Sequence, residues 1–72
     1  MELTVLNLKD ILELGGGINI DVNNFTVLNL KDFAEKAQIS GATIIMRNTN
    51  KLTIQNLKDI AEKGAGKIIF EF

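Results

Sequence analysis

Thr4-Val5-Leu6-Asn7-Leu8-Lys9-Asp10 recurs without change as Thr26-Val27-Leu28-Asn29-Leu30-Lys31-Asp32. It recurs again, with two changes, as Thr53-Ile54-Gln55-Asn56-Leu57-Lys58-Asp59. An apolar residue precedes each copy (Leu3, Phe25, Leu52). An apolar pair and then a Glu follow each copy, the pairs being Ile11-Leu12, Phe33-Ala34 and Ile60-Ala61. Copies starting at residues 4, 26 and 53 have the spacing of stacked units, none of which can bury its apolar side alone. The 72 residues therefore read as a single domain of three units, about 3–24, 25–51 and 52–72.

Each unit reads as a helix followed by a strand. Thr4, Thr26 and Thr53 are natural N-caps, because a Thr hydroxyl accepts from an orphan N–H of the first turn. The apolar residue ahead of each can serve as half of a hydrophobic staple. Ile54, Leu57, Ile60 and Ala61 fall on one helical stripe, matched by Val5, Leu8, Ile11, Leu12 and by Val27, Leu30, Phe33, Ala34. Asp32 with Lys36, and Asp59 with Lys63, are four apart and predict ion pairs along a solvated face. Gly15-Gly16-Gly17 and the pair Gly64, Gly66 are expected to stop the first and third helices in left-handed turns. The second helix runs on through Lys36, Ala37 and Gln38 to Ser40-Gly41, which accounts for most of its extra length.

Period-two alternation then predicts strands over 18–23, 43–48 and 67–72, with Ile44, Met46, Ile68, Phe70 and Phe72 among the inward residues. Asn23-Asn24 and Thr49-Asn50-Lys51 are turn sequences leading to the next cap. Strands joined through helices run parallel, with right-handed crossovers. The expected fold is α/β: three αβ repeats stacked as a short right-handed solenoid, with a parallel three-stranded sheet and helices on one face. The other sheet face stays open to solvent.

The segment Leu52-Thr53-Ile54-Gln55-Asn56-Leu57-Lys58-Asp59-Ile60-Ala61-Glu62-Lys63-Gly64 resembles the cysteine-containing class of leucine-rich repeats. Asn23-x-Phe25 and Asn50-x-Leu52 resemble that family's Asn-x-Leu step, and Ile18-x-Ile20 resembles its strand. The resemblance implies a binding surface on the open sheet face and no enzymatic activity.

Composition narrows the function further. The chain has no Cys, His, Trp, Tyr or Pro. It therefore has no disulfide framework and lacks the usual zinc ligands, the commonest catalytic base and the thiol nucleophile. No cofactor or metal is expected. Eight Lys and Arg against nine Asp and Glu give no basic footprint for duplex binding. No apolar run approaches the roughly 20 residues of a membrane span, and no signal-peptide pattern opens the chain. A cytoplasmic protein is expected. Gly64-Ala65-Gly66-Lys67 lacks the upstream Gly and following Ser or Thr of a phosphate loop. Asp21 and Glu71 read as partners of Arg47 and not as an acid–base pair.

Alternation places Asn19, Asp21 and Asn23, then Thr43, Ile45 and Arg47, then Lys67, Ile69 and Glu71 on the open face. Asp21, Ile45, Arg47, Lys67, Ile69 and Glu71 are the candidate binding residues, an apolar centre with a polar rim. A chain of this length buries only about 60% of its unfolded surface, so a homo-oligomer or a bound partner is expected. Leu6, Leu12 and Leu14 are the candidate self-association residues, on a first unit more apolar than the third. The strand over 67–72 is a second route, through its open edge.

The expected function is a non-enzymatic protein–protein interaction module that self-associates. Two alternatives stand beside it. One is a small regulatory nucleic-acid binder using Arg47, Lys51 and Lys67. The other is a designed or duplicated repeat scaffold without a dedicated ligand.

Overall fold

The computed structural model describes residues 4–72. The elements alternate as expected: α1 (Val5–Glu13), β1 (Ile18–Asp21), α2 (Val27–Ser40), β2 (Ile44–Arg47), α3 (Ile54–Gly64) and β3 (Ile68–Phe70). All strand pairs are parallel, in the order β1-β2-β3. The residue rows Ile18–Ile44–Ile68 and Ile20–Met46–Phe70 point to the helices; the row Asn19–Ile45–Ile69 points away.

The repeated Thr starts each helix. The hydroxyls of Thr4, Thr26 and Thr53 accept from the backbone N–H of Asn7, Asn29 and Asn56, each at 3.1 Å. This satisfies one of the unpaired donors that every helix start carries. Phe25 and Leu52, just ahead of two caps, pack against the core, and Phe25 meets Phe33 edge to face at 5.3 Å. Leu3 lies outside the described residues.

The strands are shorter than alternation predicts. Asp21 accepts from the N–H of Asn23 at 2.9 Å and turns the chain into a 3-10 turn, Val22–Asn24. This local side-chain bond competes with the sheet ladder, so Asn23 is not a sheet residue. At the matching point of the second unit Asn48 adopts the left-handed conformation and opens a second 3-10 turn, Thr49–Lys51. Thr49 is fully buried, and its hydroxyl donates to the Glu71 carbonyl at 3.0 Å. That bond ties the second turn to the residue following β3.

Helix α2 ends on Gly41 in the left-handed conformation, as expected. Gly64 and Gly66 bracket the end of α3 as expected, but Gly64 is its last helical residue and not the left-handed one. A Cβ there would overlap the Ile68 side chain. The left-handed position falls on Ala65 (φ 47°) instead.

The core lies between the helices and one sheet face. Leu8, Leu12, Leu30, Phe33 and Ile60 come from the helices, and Ile20, Ile44 and Met46 from the strands. Two expectations fail here. Leu12 is fully buried within the chain and therefore cannot contact another copy. The stripe of α3 is only partly inward: Ile60 is buried and Leu57 half-buried, but Ile54 is 68% exposed and Ala61 is exposed. At the positions of Ala61, Leu12 and Ala34 are buried, and α1 and α2 each pack against the helix that follows; among the described residues no helix packs on the far side of α3.

Candidate functional surface

The strand register places four of the six candidate binding residues, Asp21, Ile45, Arg47 and Ile69, and the other two flank β3. Asn19, Ile45 and Ile69 form one row across the sheet; Asp21 and Arg47 are partners in the next. Ile45 is half-buried, whereas Ile69, on the edge strand, is 50% exposed. Arg47 is exposed and reaches back across the sheet, its Nε donating to the Asn19 Oδ1 at 2.7 Å. Lys67 is half-buried just ahead of β3, and Glu71 is exposed just after it. The Asp21 carboxyl is held below the usual carboxylate range, first by the Asn23 N–H, then by the Asn48 side chain, with help from Arg47 and Lys51. A hydrogen bond to the ionised form favours that form.

The face thus presents two isoleucines beside a guanidinium already tied to a neighbour. It is an open surface and not a cleft. A depression of about 190 Å³ borders it at Asn19, Asp21, Phe25 and Arg47, below the usual size of a small-molecule site. Another, of about 360 Å³, lies among Glu13, Lys36, Ile39 and Ser40. There Lys36 and Glu13 are paired with one another at 2.8 Å. The Gly64-Ala65-Gly66-Lys67 segment follows the C-terminal end of α3, where exposed carbonyls disfavour an anion.

The helix layer holds an arrangement that the residue pattern did not lead us to expect. Asp32 and Asp59 pair across to the preceding helix, not along their own. The contacts are Lys9–Asp32 at 3.2 Å and Lys31–Asp59 at 3.5 Å. In the second and third units the Lys after the Glu also reaches back: Lys36 to Glu13 at 2.8 Å and Lys63 to Glu35 at 3.9 Å. The expected pairs Asp32–Lys36 and Asp59–Lys63 therefore give way to a ladder between helices. Stacking brings the Lys at one position of a unit beside the Asp at the next position of the following unit. The signal was present in the sequence as the adjacent Lys-Asp of every copy, but it is legible only once the units are known to stack side by side.

The ladder perturbs its members. The hydrogen bond from Lys36 to Glu13 raises the Lys36 pKa. Asp59 is held below the usual carboxylate range, first by the Gln55 amide at 2.9 Å and then by Lys31.

Of the three candidate self-association residues, Leu6 and Leu14 are exposed, Leu14 at 89%, while Leu12 belongs to the core. Leu28, at the position of α2 that matches Leu6, is equally exposed. Leu6 therefore marks the outer side of the helix layer and not the end of the stack. No helix among the described residues is long and apolar enough to cross a membrane. No protein-family model matches the chain, and neither does any curated protein or solved structure.

Proposed function

We propose that the chain is a short right-handed solenoid of leucine-rich-repeat-like units that works as a non-enzymatic protein–protein interaction module in the cytoplasm. The observation that carries this reading is the open sheet face. A row containing Ile45 and Ile69 is flanked by Asp21, Arg47, Lys67 and Glu71. An apolar strip within a charged rim is the usual anatomy of a contact surface. Side chains set on a hydrogen-bonded sheet also carry a lower ordering cost on binding.

The test is capture of a partner from the source cell by the immobilised chain, with the captured protein identified by mass spectrometry. Ile45→Asp and Ile69→Asp should each lose that protein while keeping the helical circular dichroism of the parent. Retention of the same protein by both variants overturns the sheet-face assignment. Captured nucleic acid that is released steeply by salt would favour the nucleic-acid alternative.

A further inference from the structure

The two ends of the stack carry the two halves of the contact that joins its units. At both internal junctions a Lys of one helix meets an Asp of the next, Lys9 with Asp32 and Lys31 with Asp59. The third unit carries the same Lys, Lys58, and the first the same Asp, Asp10. Both are exposed, and neither has an ion-pair partner among the described residues.

The apolar residues repeat this pattern. The side of each unit that faces its successor is buried in α1 and α2, at Leu12 and Ala34, and bare in α3 at Ala61. The side that faces the predecessor is fully buried at Phe33 and Ile60 but only half-buried at Ile11. The sheet ends likewise: β1 and β3 each pair on one side only among the described residues.

We infer that the third unit of one chain docks the first unit of a second copy, continuing the stack from head to tail. The inference rests on the repeat-stack reading of the fold and is independent of the sheet face. Its occupant is a second copy because charge and register both match. Lys58 meets Asp10 of the next copy in the place that Lys31 and Asp59 occupy within the chain. The rows extend as Ile68 beside Ile18 and Phe70 beside Ile20 of the next copy. The contact is heterologous: each copy uses one surface to give and another to receive, so repetition builds a filament unless the rotation closes a ring.

Two steps depart from the internal junctions. Leu14 stands where Lys36 and Lys63 reach back to a Glu, so Glu62 gains no ion partner. Continuing the rows also brings Glu71 next to Asp21 of the next copy. The association is therefore weaker than the covalently linked internal junctions and depends on concentration.

Charge reversal tests it on the full chain. Sedimentation velocity over a concentration series should show the parent growing beyond a dimer. Asp10→Lys and Lys58→Glu should each weaken self-association about tenfold, since each sets like charges across the junction. Both are exposed substitutions that leave the core intact. Their equimolar mixture should regain parental assembly, because each variant's head then faces an opposite charge on the other's tail. A parent that stays monomeric to millimolar concentration overturns the inference. So does a mixture no larger than its separate components, or assembly that stops at a dimer and ignores both substitutions. Ile45→Asp keeps the two readings apart: it should abolish partner capture and leave assembly unchanged.

Discussion

The second and third units are built from nearly the same words and meet different surroundings. In the second, Leu30, Phe33 and Ala34 are fully buried, because a helix lies on either side of α2. In the third, Leu57 is half-buried and Ala61 exposed at the positions of Leu30 and Ala34, while Ile60, at the position of Phe33 on the side toward α2, stays fully buried. Residue type and helical phase are shared, so the difference comes from the neighbour. A repeat unit specifies which side is apolar; only the adjacent unit decides whether that side is removed from water.

The comparison can be broken most directly with one substitution made twice. Leu30→Ala should cost about 2–5 kcal/mol, the range for emptying a core leucine site. Leu57→Ala should cost about 1 kcal/mol, because water already reaches part of that side chain and less apolar area is lost. Urea unfolding midpoints measure both. Equal losses would mean that the third unit is as well covered as the second.

A middle-sized effect sharpens the contrast at the helix ends. The second helix ends on a left-handed Gly, the third on a left-handed Ala. Ala65→Gly should raise stability by up to about 1 kcal/mol, the relieved backbone strain being partly offset by a freer unfolded chain. Gly64→Ala, one residue earlier, should lower it by about 1–3 kcal/mol, because the new methyl presses on Ile68. Thermal melts of the two variants should therefore move in opposite directions.

The smallest effect belongs to the ladder. Asp59 is ionised more readily in the folded chain than in the unfolded one. Its contribution is therefore complete above the ordinary carboxylate range and is lost as pH falls through the folded value. Lys36 has the opposite sign: its raised pKa gives a contribution present below the unfolded value and lost as pH rises through the folded one. Asp59→Asn should flatten the acid limb of a stability–pH curve, and Lys36→Met the alkaline limb. Both changes are small, because the groups are only half-buried and partly screened. Added salt should shrink both.

The element order, the three caps and the parallel sheet are readable from the chain because each rests on local chemistry: a Thr before an apolar period, an alternating run, a turn-forming Asn. The strand ends are not, because a single Asp21 side chain competing for the Asn23 N–H stops the ladder and nothing in the alternation marks it. Leu12 reads equally well as core or as outer contact until α2 is packed against α1 and buries it. The ion pairs misread for a similar reason. Spacing along one helix is visible in sequence, whereas the partner on the next helix depends on how far apart the copies sit. The open sheet face was legible in composition and order, but the bond from Arg47 to Asn19 was not, since it spans two strands.

The offset of one position between each lysine and the aspartate it meets has a consequence for how such a chain can lengthen. A whole additional unit placed at either internal seam would present an aspartate to the lysine before it and a lysine to the aspartate after it. No existing residue would need to change. Tandem duplication of the underlying coding segment would then be tolerated at once, and each added unit would bring its own complement of partners.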